Sequence, residues 1–231
     1  MGLVLMTAAA ETVATTVEQI VAKANETSYY QGDDGKAQLR MVIADSQGRE
    51  RERELTILRR DDESGNGDQR FFVYFERPSD VRGTTFLVWK RADGADERWL
   101  YLPALDLVKR IAANDERASF VGSHYFYEDV SGRSPNEDAH ELVEETDDYY
   151  VLKSTPKNPI TVEFASFTSW IHKGTFLPVK VEYYDEKGEA YRVYEALDVQ
   201  QVEGFYTVMQ SRMTDRRIGG STTLTYKQVN Y

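Results

Sequence analysis

Residues 178–216 read PVKVEYYDEKGEAYRVYEALDVQQVEGFYTVMQSRMTDR, and this stretch decides the fold class. Apolar and polar residues alternate along three segments, at about Pro178–Asp185, Ala190–Gln201 and Gly204–Arg216, which is typical of strands with one buried face. Only a few residues connect one segment to the next. Because such short turns join antiparallel neighbours, the stretch predicts a meander of three strands.

The two faces of these strands differ in polarity. In the first strand Val179, Val181 and Tyr183 fall on one face, and Lys180 and Glu182 fall on the other. This contrast predicts a sheet with one apolar face and one solvated face. The next two strands repeat it with the apolar residues Val193, Leu197, Val199, Phe205, Met209 and Met213.

Alternating segments continue on both sides of this meander, from about residue 38 to 112 and from about 139 to 229. They predict about eleven antiparallel strands, a number large enough for the sheet to curl or to close. No linker rich in Pro, Gly or Ser and no shift in composition divides the chain. We therefore expect residues 11–231 to form a single domain of mainly β (α+β) class.

One helix precedes the strands, with Thr12 or Thr15 as its candidate N-cap. A helix of about three turns cannot cover the apolar face of so broad a sheet. Either the sheet closes into a barrel that its own side chains fill, or the surplus apolar surface forms a cavity for an apolar ligand. The helix is predicted from an apolar stripe at helical spacing, which consists of Val13, Val17, Ile20, Val21 and Ala24.

The composition excludes several classes of function. The chain has 231 residues, with 28 Lys and Arg against 39 Asp and Glu, and a formal charge of −11. Binding to nucleic acid needs a basic surface, so we expect no nucleic-acid partner. The chain has no cysteine, which rules out disulfides, thiolate metal sites and a cysteine nucleophile.

No convergent catalytic or metal-binding set is visible in the sequence. The three histidines, His124, His140 and His172, are far apart, and no Gly-x-Ser-x-Gly elbow or phosphate-binding glycine loop occurs. Paired carboxylates such as Asp147-Asp148 fall in polar turns, where they stay solvated, whereas an acid/base pair needs a carboxylate in an apolar pocket. We therefore expect no catalytic residues, no metal, no cofactor and no enzymatic activity.

The first ten residues, MGLVLMTAAA, resemble the end of a secretory signal. An apolar run ends in Ala8-Ala9-Ala10, as in an Ala-x-Ala cleavage site, although the basic region that opens such signals is missing. The alternative is an apolar start to the first helix. The first interpretation predicts a remnant of a signal at 1–10 and a secreted, soluble mature protein, without a lipid anchor because Glu11 follows the site.

Three motifs in the middle of the chain carry a resemblance to a known family. They are FERPSDVRGTTFL at 75–87, WLYLPAL at 99–105 followed by Lys109-Arg110-Ile111, and SFVGSHYFYEDV at 119–130. In this order they resemble the outer-membrane lipoprotein-sorting protein family, the LolA-like periplasmic proteins. The likeness covers about residues 15–231 and continues through Trp170, Pro178, Lys180, Tyr183-Tyr184-Asp185 and Gly188.

The resemblance implies an unclosed, strongly curved antiparallel β-barrel with helices in its concave face as a lid. It also implies a carrier that holds lipoprotein acyl chains or another lipid, with an inner-membrane exporter and an outer-membrane acceptor as possible partners. The functional arginine of the dedicated carriers has no identified counterpart here. A lipid-sensing or adaptor protein that works with an RND-type exporter is the alternative.

Two sets of residues are therefore candidates for binding. The first set shares the apolar face of the strands and is expected to line the cavity: Leu39, Met41, Ile43, Leu55, Ile57, Phe71, Val73, Phe75, Leu100, Leu102, Val181, Val193, Phe205, Met209 and Met213. The second set is expected to form the lid: Val13, Val17, Ile20, Val21, Phe120, Tyr125 and Phe126. Most of the first set would serve equally as core beneath the lid.

Overall fold

The fold is one antiparallel sheet of 13 strands. The computed structural model describes residues 15–112 and 115–231. Val13 of the predicted lid, the candidate cap Thr12 and the predicted signal remnant at 1–10 lie outside these residues, so they stay predictions.

The elements follow the chain with short connections. The helices are α1 (Val17–Tyr29) and α2 (Tyr127–Ser131). The strands are β1 (Asp34–Asp45), β2 (Glu50–Asp61), β3 (Gln69–Arg77), β4 (Thr85–Lys90), β5 (Glu97–Leu102), β6 (Leu107–Ile111), β7 (Asp138–Glu145), β8 (Tyr149–Pro156), β9 (Ser166–His172), β10 (Pro178–Tyr184), β11 (Ala190–Val202), β12 (Phe205–Asp215) and β13 (Gly220–Asn230).

The prediction of an unclosed antiparallel sheet is confirmed. The predicted number of about eleven strands is slightly too low, because the sheet has 13. Turns of a few residues join most strands, so nearly all of the chain from 34 to 111 and from 138 to 230 is divided among 13 strands. The alternative of a closed barrel is wrong, because β6 and β7 are the two unpaired edges of the sheet among the described residues.

The strand order is β6-β5-β4-β3-β2-β1-β13-β12-β11-β10-β9-β8-β7. Strands β1–β6 form one meander and strands β7–β13 form another. The two meanders meet where β1 pairs with β13, from Lys36↔Asn230 to Asp45↔Gly220. Consecutive strands β6 and β7 therefore stand at opposite edges. Their connection has to cross the sheet, and we call its described part, residues 115–137, the crossing segment.

Helix α1 starts later and ends later than the apolar stripe predicts. Thr16 is its N-cap, because Gln19 three residues on completes a capping box in which each side chain accepts the other's backbone N–H. The buried residues of the helix are Ile20 and Ala24, which pack on Leu152 and Ile171 of the sheet. Among the described residues, neither helix has the length and apolar character that crossing a bilayer requires.

The main core lies on the concave face of β1–β5, beneath the crossing segment. Phe120 packs between Phe75 and Phe86, with ring centroids 5.7 and 5.4 Å away, and Tyr127 stands edge-on to Phe120 at 5.6 Å. These aromatic contacts add to the burial of apolar area. The crossing segment is thus part of the core of this half of the sheet.

Candidate ligand-binding cavity

A cavity of about 470 Å³ lies between α1 and the concave face of the sheet. From α1, residues Val21, Ala24 and Tyr29 face it, and strands of both halves of the sheet form its floor. This volume falls within the range of small-molecule sites, about 300–1,000 Å³. The concave face is therefore covered but not filled.

Seven of the fifteen residues that the sequence predicts for the cavity line it. Together these seven residues form an apolar floor that extends over β1, β2, β3, β10 and β12. The seven are Leu39, Met41, Leu55, Ile57, Phe71, Val181 and Met213. Of the predicted lid, Val21, Phe120 and Tyr125 line the cavity as well.

The other predicted residues are placed elsewhere. Ile43, Val73, Phe75 and Leu100 are buried in the main core, and Leu102 packs against it. Phe205 lies with its ring centroid 4.9 Å from that of Tyr231. In the lid set, Val17 and Ile20 belong to the hydrophobic cluster that α1 forms with Leu152 and Ile171. The Arg192 Cζ atom lies 3.8 Å from the centre of the Phe126 ring.

Irregularities of the ladder account for two residues that do not line the cavity. Tyr194 pairs with Val181 and Met213, so Val193 beside it points to the opposite face. The pairing of β11 with β12 skips Met209, because Asp198 pairs with Gln210 and Val199 with Val208. A bulge of this kind resets the alternation along the strand, and a simple two-residue period cannot predict it.

Ionic contacts hold the crossing segment to the sheet from several strands. Lys90 of β4 donates to the Ser131 carbonyl at 2.6 Å, and Arg98 of β5 bonds Glu116 at 2.7 Å. Arg192 of β11, only 2% exposed, pairs with Asp129. Arg53 of β2 donates to the Val121 carbonyl. Separation of the segment from the sheet would leave these buried charges without partners, which costs free energy. The segment is therefore a fixed part of the fold.

Glu128 and Lys90 are among the groups in this region whose pKa values are shifted. Burial raises the pKa of Glu128 to about 7, against the opposing effect of Arg133 and Arg117, whose guanidinium groups lie 3.3 and 3.5 Å away. Burial also lowers the pKa of Lys90 to about 8. Perturbed groups of this kind occur both at functional sites and in structural networks. Glu128 forms ion pairs with Arg117 and Arg133, and Lys90 bonds the Ser131 carbonyl, so we assign both groups a structural role.

Sequence reasoning missed several tyrosines that line the cavity: Tyr29, Tyr194, Tyr206, Tyr226 and Tyr231. Tyr29 was missed because the stripe ends at Ala24, and Tyr194 because Val193 was assigned to the apolar face. Its orientation follows from its pairing with Val181, which no signal in the sequence shows. The described residues contain no group of three or more His, Cys, Asp or Glu side chains placed to hold a metal ion.

Comparison with known proteins identifies the family. A family model described as "Uncharacterized protein" matches residues 67–231. An outer membrane lipoprotein-sorting protein domain from Vibrio parahaemolyticus is 27% identical, with 91% of this chain and 90% of that chain covered and a TM-score of 0.80. The chain belongs to the family that this model describes, and it is similar to outer membrane lipoprotein-sorting and LolA superfamily proteins.

Two further structures are similar to this LolA-like chain. A DUF1329 family protein from Desulfovibrio piger is 28% identical over 93% of this chain and 92% of that chain, with a TM-score of 0.82. A LolA superfamily protein from Nitrosomonas europaea shares the fold at 21% identity, with 94% of each chain covered and a TM-score of 0.70. The search of curated proteins gives no match.

The LolA-like chain covers its cavity with two parts that differ in how firmly they are held. The crossing segment carries Phe120, Tyr125 and Tyr127, which belong to the main core. The α1 helix instead has its own small cluster of four buried residues. We conclude that α1 is the weakly held part of the cover.

Proposed function

We propose that this LolA-like protein is a periplasmic carrier that holds a lipid, or the acyl chains of a lipoprotein, in the cavity beneath α1. The observation that carries the proposal is a largely apolar cavity that is covered in part by α1, a helix with a small cluster of buried contacts. One relative with the same fold and 27% identity is described as an outer membrane lipoprotein-sorting protein domain, which supports this assignment.

The energetics explain why such a carrier needs a removable roof. Burial of an acyl chain of about fourteen methylenes stabilises a complex by about 11 kcal/mol before costs, at ~0.8 kcal/mol for each methylene. A rigid open cavity would hold this ligand too tightly for delivery. If the ligand must displace α1 from the sheet, the loss of the contacts of Ile20 and Ala24 offsets part of that energy.

The far end of α1 has the features of a hinge. The Arg59 guanidinium donates to the carbonyls of Tyr29, Gln31 and Gly32 at 3.1, 2.5 and 2.8 Å. Gln69 donates to the Tyr29 carbonyl at 2.8 Å as well. These bonds fix the chain where the helix ends, so that the turns around Ile20 swing away while the junction with β1 stays in place.

A reversible cross-link tests the proposed motion. The Lys23 ammonium lies 4.6 Å from the centre of the Phe176 ring, so Lys23→Cys with Phe176→Cys places two thiols across the interface between α1 and the sheet. The natural chain has no cysteine, so a short thiol-specific cross-linker with a reducible bond joins only this pair.

Uptake of a fluorescent fatty-acyl probe is measured before and after reduction of the linker. We expect uptake to be lost in the linked protein and restored by reductant, and each single-cysteine variant treated alike is the control. Equal uptake in the linked and reduced states would contradict the role of α1.

Transfer separates a carrier from a sensor. A carrier moves the probe from donor to acceptor vesicles, whereas a lipid-sensing adaptor for an RND-type exporter binds the probe without faster transfer. The periplasmic location is tested by fractionation of the native host. Absence of catalysis belongs to the proposal, and turnover of ester lipids by the purified protein would contradict it.

A further inference from the structure

The floor of the cavity carries a band of hydroxyl groups across four adjacent strands. Tyr183 is on β10, Tyr194 on β11, Ser211 on β12 and Tyr226 on β13, and all four line the cavity. The register places them on one diagonal of the cavity floor. Tyr183 is two residues from Val181, which pairs with Tyr194; Tyr194 pairs with Met213, two residues from Ser211; and Ser211 pairs with Leu224, two residues before Tyr226. We call these four residues the hydroxyl band.

Two more tyrosines reach the cavity from the cover. The Tyr125 hydroxyl of the crossing segment lies 2.9 Å from the Ser211 hydroxyl. Tyr29 ends α1 and packs against Gly132, where a Cβ atom would lie 2.3 Å from Tyr29 Cζ. The Lys90 ammonium lies 4.6 Å from the centre of the Tyr29 ring on the sheet side. Tyr29 is thus held in a fixed place above the band.

Three of these hydroxyls have no hydrogen-bond partner in the part of the chain that the structure describes. Among the described residues, no group donates to or accepts from the hydroxyls of Tyr29, Tyr183 or Tyr226, and the three side chains line the cavity. The three side chains are half-buried in the cavity wall, where burial raises the pKa of Tyr29 and Tyr183 and that of Tyr226 to about 12. The hydroxyls are therefore neutral and able both to donate and to accept.

A plain hydrocarbon chain is a poor partner for this lining. Covering three hydroxyls with methylenes removes their access to water and gives them no new hydrogen bond, which costs free energy. A ligand oxygen beside any one of them restores a hydrogen bond to that hydroxyl. Sites with buried polar groups discriminate strongly against ligands that lack the matching atom.

We propose that the cavity selects a lipid whose buried portion carries an oxygen, as a hydroxyl or carbonyl on its hydrocarbon body, in contact with Tyr29, Tyr183 or Tyr226. This inference rests on the proposed lipid-binding function and narrows the class of its ligand. An acyl chain without such an oxygen is a weaker ligand of the same cavity.

Matched fatty acids test the selection. Stearate, 2-hydroxystearate and 12-hydroxystearate compete with a fluorescent acyl probe, so that the oxygen is absent, near the carboxylate or deep in the chain. We expect 12-hydroxystearate to bind about 3- to 10-fold more tightly than stearate, the effect of one net hydrogen bond. We expect 2-hydroxystearate to bind about as stearate does.

Phenylalanine variants locate the effect. Tyr183→Phe combined with Tyr226→Phe keeps the rings and removes two hydroxyls, so the preference for 12-hydroxystearate should fall at least threefold while stearate binds as well or better. Tyr74→Phe is the control, because Tyr74 is 38% exposed and does not line the cavity.

The outcomes distinguish the two proposals. Equal binding of the three fatty acids, or a preference that survives in the double variant, would overturn the selection for oxygen and leave the lipid-binding function standing. Absence of binding for all three fatty acids and for the probe would overturn both.

Discussion

Substitution of Ile20 by alanine should increase the affinity for lipid. Ile20 has no exposed surface and anchors α1 on Leu152 and Ile171, yet it does not line the cavity. The variant therefore weakens the covered state without removing a contact to the ligand.

The size of the effect follows from the burial of this one side chain. Replacement of a buried isoleucine by alanine costs about 2–5 kcal/mol. If lipid binding requires displacement of α1, the substitution destabilises the covered state and leaves the lipid-bound state unchanged. A loss of about 2 kcal/mol, the low end of this range, then raises the affinity for lipid about 30-fold. The free energy of unfolding falls by the same amount.

Titration of the fluorescent acyl probe measures the affinity, and urea denaturation measures the stability. Ile111→Ala is the matched control, because Ile111 is 7% exposed, belongs to the main core and does not line the cavity. It should lose stability without a change in affinity beyond twofold. An affinity of Ile20→Ala equal to or below that of the wild type would refute the competition between α1 and lipid.

Three further predictions concern the crossing segment and its contact with α1. Asp129→Asn leaves the buried Arg192 without its carboxylate and should lower the free energy of unfolding by about 3–5 kcal/mol in urea, with part of the loss recovered when Arg192→Met is added. Since burial raises the pKa of Glu128 to about 7, the folded state holds this proton more tightly than the unfolded state, and stability should fall by up to about 3 kcal/mol as pH rises from 4.5 through 7. Glu128→Gln should abolish this fall in the free energy of unfolding, as measured by urea titrations at a series of pH values. A variant with the same pH profile as the wild type would contradict the role of Glu128. Gly132→Ala places a Cβ atom 2.3 Å from Tyr29 Cζ at a residue with φ of +77°, so hydrogen exchange should show faster opening of the last turn of α1.

The sequence predicts most of the sheet because its evidence is local. Alternation in segments such as Pro178–Tyr184 defines strands, and short turns define which strands are neighbours. The motifs at 75–87, 99–105 and 119–130 add the family and, with it, the unclosed sheet.

The cavity is less accessible to sequence reasoning because it depends on long-range register. The bulge at Met209 and the pairing of Tyr194 with Val181 decide which side chains face inward, and neither is visible in a two-residue period. The ionic anchors of the crossing segment also join residues far apart in the chain, as Arg192 and Asp129 do. Their partners become apparent only when the sheet is assembled.

The outer face of the sheet offers the competing place for an apolar ligand. Leu58 pairs with Phe72, and Phe72 pairs with Leu87, so three side chains that are 38–40% exposed form a row across β2, β3 and β4. A lipid bound there would need neither the cavity nor the displacement of α1.

Photolabelling therefore tests the central claim most directly. A fatty acid that carries a diazirine on its chain is bound, activated by light and located by mass spectrometry of the digested protein. The account predicts adducts on cavity residues such as Met41, Val181 and Met213, reduced by an excess of unlabelled fatty acid. Adducts confined to the row of Leu58, Phe72 and Leu87 would contradict it.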